Sequence, residues 1–446
     1  MDAEDSNPAF RAGARARSTI RRFVLLGMGA CVAGSAAWAC GEAPGPILDE
    51  LAHILPEGAP SHSFTPRAVG EQPEADERPQ ISNLRIADLD GDNLPDILVC
   101  DAVRNRVSWI RQAPRGTYIE HPVSDDILAP AHVEPLDIDG DADIDLLVAS
   151  LGVLFPSNLR IGSVVVLEND GTERFTSRVV AEGIPRVADV RGGDLDGDGD
   201  VDLTVAAFGY DDGETLWLEN RGAWEFEPHV LQRFSGAVNA IAVDLDGNDA
   251  LDVVTVVSQE WEEIWAFRGE GLTSELLWGT TNADFGSSWI TVVDLDRDGD
   301  PDVLYSNGDA FDYAPATSRP WHGVHWLENH GGLHFERHRI GYLSGASSPQ
   351  AADLDGDGDL DVAVVSAYNR WNDDNAQSIV WLENNGRMQF ALRRIARAPT
   401  HLITLAVGDM DGNGTVDLVT GGMHISGPYD RMSRVTVWSN GSTPAP

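Results

Sequence analysis

A nine-residue pattern, D-x-D-x-[DN]-x-x-x-D, occurs seven times in this 446-residue chain, beginning at Asp88, Asp137, Asp194, Asp244, Asp294, Asp353 and Asp409. Successive starts lie 49, 57, 50, 50, 59 and 56 residues apart, a period used by propellers and solenoids. Each copy has the same surroundings. An apolar run leads into the first Asp, as in Ile241-Ala242-Val243, and a β-branched run leaves the last, as in Asp252-Val253-Val254-Thr255-Val256-Val257. Residues of this kind over such lengths read as strands.

A variable stretch follows, then a third run that shares a signature. It reads Leu216-Trp217-Leu218-Glu219-Asn220, His325-Trp326-Leu327-Glu328-Asn329 and Val380-Trp381-Leu382-Glu383-Asn384, with degenerate copies at Val166-Leu167-Glu168-Asn169, Ile264 to Phe267, Val107 to Ile110 and Val435 to Trp438. After a Gly-bearing turn a fourth run begins, as at Phe175, Phe226, Phe335 and Phe390. Four strands per unit in seven units predict an all-β fold, a seven-bladed β-propeller over residues 63–441. The seventh unit lacks a fourth run of its own, and Phe64-Thr65-Pro66-Arg67-Ala68-Val69 resembles Phe175-Thr176-Ser177-Arg178-Val179-Val180. Residues 63–69 are therefore expected to form the outermost strand of the last blade. That closes the ring and removes an open edge.

Carboxylates at loop positions 1, 3, 5 and 9, with Gly usually at 4, let a tight turn gather oxygens around one point. A set of flexible, hard oxygen ligands suits calcium better than magnesium. The candidate ligands are Asp88, Asp90, Asp92 and Asp96; Asp137, Asp139, Asp141 and Asp145; Asp194, Asp196, Asp198 and Asp202; Asp244, Asp246, Asn248 and Asp252; Asp294, Asp296, Asp298 and Asp302; Asp353, Asp355, Asp357 and Asp361; and Asp409, Asp411, Asn413 and Asp417. Position 7 varies, as expected where its backbone carbonyl is the ligand. The start of each loop is like an EF-hand, but the flanks are strands and the closing carboxylate comes at position 9. Up to seven structural calcium ions are expected, bringing the formal charge from −41 to −27.

These loops, above all Asp194-Leu195-Asp196-Gly197-Asp198-Gly199-Asp200 and Asp353-Leu354-Asp355-Gly356-Asp357-Gly358-Asp359, together with W-L-E-N, resemble the FG-GAP and VCBS repeat family. The resemblance covers nearly all of residues 63–441. It implies a propeller whose Asp loops, between the first two strands of each blade, bind calcium. Asn248 in the fourth loop and Asn413 with Thr415 in the seventh depart from the pattern, which leaves their occupancy open.

Asp and Glu outnumber Lys and Arg by 72 to 31, so the folded part repels nucleic acid and anionic lipid. Of three Cys, Cys31 and Cys40 lie in an apolar N-terminal segment, and Cys100 is expected as a buried free thiol. Residues 1–22 carry Arg11, Arg15, Arg17, Arg21 and Arg22, and an apolar stretch runs from Phe23 to Cys40. Residues 1–40 are thus expected to direct export, as a cleaved signal (Arg21-Arg22 suits the twin-arginine kind), a lipoprotein signal with Cys40 lipidated, or an uncleaved anchor. Membrane contact is expected only through this segment, with the remainder periplasmic or at the cell surface. Residues 41–62 read as a tether with one short helix near Ile47 to Leu55.

The loops between second and third strands are expected to lie on the face opposite the Asp loops. They carry Phe155, Phe311, Tyr313, Trp321, Tyr368, Trp371 and Tyr429, and exposed loop aromatics serve recognition. The sequence thus points to a non-catalytic protein-binding or scaffold module, such as a subunit of an envelope complex. The alternatives are a glycan-binding protein, or a carbohydrate-active enzyme of lyase or dehydratase type using that face. For catalysis the suggestive groups are His132 with Glu134, His401, and His322 with His325; none forms a recognised catalytic motif.

Overall fold

The strand that leaves each Asp loop is buried along its whole length: Asp96–Asp101, Asp145–Ser150, Asp202–Ala207, Asp252–Val257, Asp302–Asn307, Asp361–Ser366 and Asp417–Gly422. A strand covered on both faces must be sandwiched, and here the covering layers are the neighbouring sheets. In the computed structural model, which describes residues 52–57, 63–269, 271–311, 318–332 and 334–441, these strands are the second strands of seven antiparallel sheets. Blade 1, for example, comprises Ile81–Ala87, Asp96–Asp101, Arg106–Gln112 and Tyr118–Ser124, in that spatial order. Blades 2 to 6 span residues 130–184, 187–232, 237–279, 287–341 and 346–396 in the same way.

The apolar core is not one body. Seven large clusters each lie between two adjacent blades; Leu98 and Cys100 of blade 1 meet Val133 and Leu146 of blade 2, and the others repeat the arrangement around the ring, with two small clusters, around Leu151 and around Tyr368, beside them. Each blade is therefore half of two cores. Cys100 is a buried free thiol, and burial pushes its pKa up.

Blade 7 is built from both ends of the propeller. Its strands Leu402–Gly408, Asp417–Gly422 and Val435–Asn440 are completed on the outside by Phe64–Val69, in register from Phe64 opposite Asn440 to Val69 opposite Val435. This is the closure expected from the sequence. The seam towards blade 1 carries a buried ion cluster. Arg434 Nε donates to Asp101 Oδ2 (3.1 Å), and its two terminal nitrogens donate to Glu120 (2.6 and 2.8 Å). The Glu71 amide also donates to Glu120 (2.7 Å).

One local expectation meets a different structure. Ile54–Leu55, placed at the end of a short helix by sequence, is instead a strand that pairs in parallel with Phe390 and Ala391 of blade 6. The outer edge of that blade offers unpaired backbone groups, and satisfying them prevails over local helix preference. Residues 47–51, the rest of that expected helix, lie outside the described residues, as do the N-terminal segment 1–40 with Cys31 and Cys40, and Tyr313.

Candidate functional site

Each Asp loop joins the first and second strands of its blade, so all seven lie on one face. Their common shape follows from two left-handed residues. Positions 4 and 6 have positive φ in every loop, including the non-glycines Asn93, Ala142, Asp249 and Arg297. The position-1 carboxylate holds this turn by accepting amides from positions 4 to 6; Gly197 and Gly199, for instance, donate to the two oxygens of Asp194 at 2.7 and 3.1 Å. The position-5 side chain accepts the amide of position 7, as Asp198 does from Asp200 (2.9 Å) and Asn248 from Ala250 (2.8 Å).

The position-9 Asp is buried in every blade. In blade 6 Asp361 accepts the amides of Leu354 (3.0 Å) and Asn384 (2.8 Å), tying the loop start to the end of the third strand. Asp96, Asp145, Asp202, Asp302 and Asp417 make the equivalent pair of bonds. The Asn that ends the third-strand signature completes this clasp, since its side chain donates to the carbonyl of position 8, as Asn384 does to Leu360 (3.1 Å). Gln112 does the same in blade 1. The sequence marks this Asn through its recurrence, but not its task.

One carboxylate oxygen from each of positions 1, 3 and 9 comes within 4.8 Å of the others in the loops of blades 1, 2, 3 and 5. Burial pushes all seven position-9 carboxyls up, Asp96 and Asp145 to about 6, Asp302 to about 7 and Asp361 to about 8. Three carboxylates so close, one of them desolvated, form an all-oxygen donor set whose mutual repulsion a hard divalent cation would relieve. The set fits calcium in blades 2, 3 and 5; in blade 1 Arg111 already lies 2.5 Å from Asp90 Oδ2.

The opposite face holds the mouth of the central channel, a cavity of about 310 Å³. Its floor is a ring made by the second residue of each first strand: Ser82, Ala131, Ala188, Val238, Ser288, Ser347 and Ile403. First strands run from this mouth to the Asp loops, so the two features lie at opposite ends of the channel. The rim bears Phe155, Phe208, Tyr210, Phe311 and Tyr368. Phe155 is 59% and Phe311 44% exposed, and Phe311 meets Tyr368 edge-on with ring centroids 4.8 Å apart. Arg186 supports the rim from below by donating to the carbonyls of Leu154 (2.9 Å) and Phe155 (3.1 Å).

Of the loop aromatics singled out in the sequence, Phe155, Phe311 and Tyr368 thus reach the mouth. Trp321 and Trp371 turn inward, onto the Asp284 carbonyl (2.9 Å) and His401 (3.0 Å), and Tyr429 lies under Arg78. Phe208 and Tyr210 add to the mouth from the short loop Phe208-Gly209-Tyr210, whose length gives no sequence signal of a recognition loop.

The suggestive histidines are all engaged. His132 lies in a cluster on the channel-lining strands of blades 1 to 3, 2.9 Å from Arg85 and 3.3 Å from Asp189, while Glu134 pairs with Arg85 and Arg191 (3.0 Å each). Burial, then the Arg85 charge, lowers the His132 pKa, and burial raises Asp189 to about 7. His325 contacts Asn307 (3.0 Å) and Arg337 (2.8 Å), and the Gly345 amide donates to His322 (3.2 Å). Burial lowers His322 and His401 to about 4.

The family described as FG-GAP-like repeat matches residues 88–148, 194–255 and 353–420, regions that include the Asp loops of every blade but the fifth. No curated protein sequence matches the chain. Similar solved structures include BBS1N in complex with ARL6DN, from a crystal soaked with lead (10% identity, 85% of this chain and 98% of that chain, TM-score 0.49). The V. cholerae biofilm matrix protein Bap1 is another (12% identity, 86% and 92% coverage, TM-score 0.41). Likeness at this level carries no argument about partners or activity. By its own strand order and the three matched regions, the chain is a seven-bladed β-propeller that carries FG-GAP-like repeats.

Proposed function

We propose that this propeller is a calcium-stabilised, non-catalytic protein-binding module that works outside the cytoplasm and takes its partner at the mouth of the central channel. The observation that carries the binding assignment is the mouth itself: a concave, mostly apolar site rimmed by exposed aromatics, in which Phe155 is held out by its Arg186-buttressed loop. Such a site suits an apolar anchor side chain with a polar surround. The charges of the channel cluster of Arg85, His132, Glu134, Asp189 and Arg191 are paired with one another, which favours binding over chemistry. Location outside the cytoplasm rests on the N-terminal sequence, and millimolar extracellular calcium would keep modest sites filled.

Two measurements test this reading. Melting with calcium, then with excess EGTA, should show a large drop on chelation that magnesium does not restore; an unchanged curve together with no calcium by metal analysis would sink the calcium assignment. A displayed-peptide library panned on the calcium-loaded propeller should yield apolar-anchored binders that fail on a Phe155→Ser/Phe311→Ser variant. Glycan-array hits lost in the same variant, with no peptide binder, would replace the protein-binding reading by a glycan-binding one.

A further inference from the structure

Strand pairing puts one third-strand residue of each blade beside its Asp loop. In blades 2, 3, 5 and 6 the residue pairing with the second position of the second strand is Leu (Leu146 with Leu167, Leu203 with Leu218, Val303 with Leu327, Val362 with Leu382), and the next residue is Glu168, Glu219, Glu328 or Glu383. In blades 1 and 4 the same register, Ile97 with Ile110 and Val253 with Phe267, brings Arg111 and Arg268 to that position. Blade 7 has Ser439 there.

The two arginines sit on loop carboxylates. Arg111 Nη2 is 2.5 Å from Asp90 Oδ2 and 3.7 Å from Asp92 Oδ2, touching positions 3 and 5 of its loop. Arg268 Nη2 donates to Asp246 Oδ2, again position 3. Among the described residues, no salt bridge reaches the pattern carboxylates of the other five loops. The rest of the neighbourhood follows the exchange. Glu168, Glu219, Glu328 and Glu383 pair with the fourth-strand residues Arg178, His229, His338 and Arg393, whereas Arg268 pairs with the fourth-strand Glu275 (3.1 Å). Loop position 7 is Asp143, Asp200, Asp300 and Asp359 where the strand carries Glu, but Leu94 and Ala250 where it carries Arg.

We propose that in blades 1 and 4 the guanidinium groups of Arg111 and Arg268 stand in for the metal ion, so that the propeller holds at most five calcium ions, none of them in these two blades. The inference rests on the calcium reading above and narrows the expected seven. A guanidinium delivers its positive charge with two donor edges and never deprotonates, so it neutralises a carboxylate pair at any calcium concentration. A second cation entering the same loop would meet this fixed charge at a few ångström. Repulsion at that range weakens binding by on the order of 30-fold or more even in a watery dielectric.

The test is the calcium stoichiometry of the full-length protein by native mass spectrometry at saturating calcium. Five ions or fewer, rising by one in Arg111→Glu, by one in Arg268→Glu and by two in the double variant, is the expected result. Arg111→Gln and Arg268→Gln, which remove the charge without adding one, serve where a Glu variant does not fold. Six or seven ions in the wild type, or no gain in any folded variant, would overturn the inference while leaving calcium binding intact. No calcium at all would overturn the underlying reading instead.

Discussion

Arg434 offers the sharpest test of how the ring is held shut. Its guanidinium answers two carboxylates, Asp101 and Glu120, and all three side chains are about 1% exposed. For Glu120, burial alone would raise the pKa, but the bonds and charge of Arg434 prevail and hold it below the ordinary value. Replacing Arg434 by Met keeps bulk, leaves Glu120 buried without a counter-charge and leaves Asp101 with Arg104 alone, 3.7 Å away, a loss of about 3–5 kcal/mol for a pair broken from one side. With an unfolding entropy of ~2.1 cal/mol/K per residue, ~380 residues melting together lose roughly 4–6 °C for that change. Differential scanning calorimetry in saturating calcium reads this directly. The pH dependence adds a signature. In the wild type the depressed Glu120 contributes stability that is present above the ordinary carboxylate range and lost as pH falls through its folded value. In Arg434→Met burial is the largest influence left on Glu120, with the Glu71 amide opposing it, so the sign reverses: the variant gains relative to wild type on acidification. Adding Asp101→Asn and Glu120→Gln to Arg434→Met should recover most of the loss. A single variant melting within ~1 °C of wild type, with an unchanged pH profile, would refute the account.

Three further outcomes are expected. Glu262, buried in blade 4, accepts the amides of Gly286 (3.1 Å) and Ser287 (2.9 Å), and burial raises it to about 8; its contribution is full below the ordinary Glu range and is lost as pH rises towards that value, so Glu262→Gln should flatten the decline in melting temperature over this window. Asp361→Ala leaves the Leu354 and Asn384 amides without their acceptor and should cost about 1–3 kcal/mol for each, seen as lowered stability and faster hydrogen exchange at those two amides. Phe155→Ser and Phe311→Ser, at exposed rim positions, should each change stability by less than about 0.5 kcal/mol in denaturant titration, which separates loss of binding from loss of fold.

The blades were legible because they repeat. Seven spaced copies of one loop fixed the strand count, and Phe64 to Val69 was recognisable as the missing outer strand through its likeness to Phe175 to Val180. What remained hidden depends on contacts between distant residues. Ile54 and Leu55 look helical in isolation, and nothing local announces that Phe390 and Ala391 present an open edge to them. The Asn of the third-strand signature recurs visibly, but its bond to a carbonyl about 24 residues earlier is a fact of packing. Arg111 and Arg268 are ordinary surface arginines in sequence. Only the pairing register aligns them with Glu219 and sets them on an Asp loop. The aromatics of the channel rim likewise come from four different blades, and single ones such as Phe208 or Tyr210 reveal it only once the ring brings them together.

Closing blade 7 with strands from both ends has a consequence for how the molecule is made. Phe64–Val69 is synthesised before blade 1, but its partner Val435–Asn440 only after blades 1 to 6. Until then blades 1 to 6 can stack one by one, since each needs only its neighbour. The ring cannot lock, and an edge strand and half a core stay open at each end of the growing arc. The final pairing joins residues some 370 apart in the chain, an entropic cost that grows only logarithmically with loop length and that blades already stacked have largely met in advance. Closure should therefore be a late, single step, and a chain interrupted before Val435 should persist as an adhesive arc, not as a slightly shorter propeller.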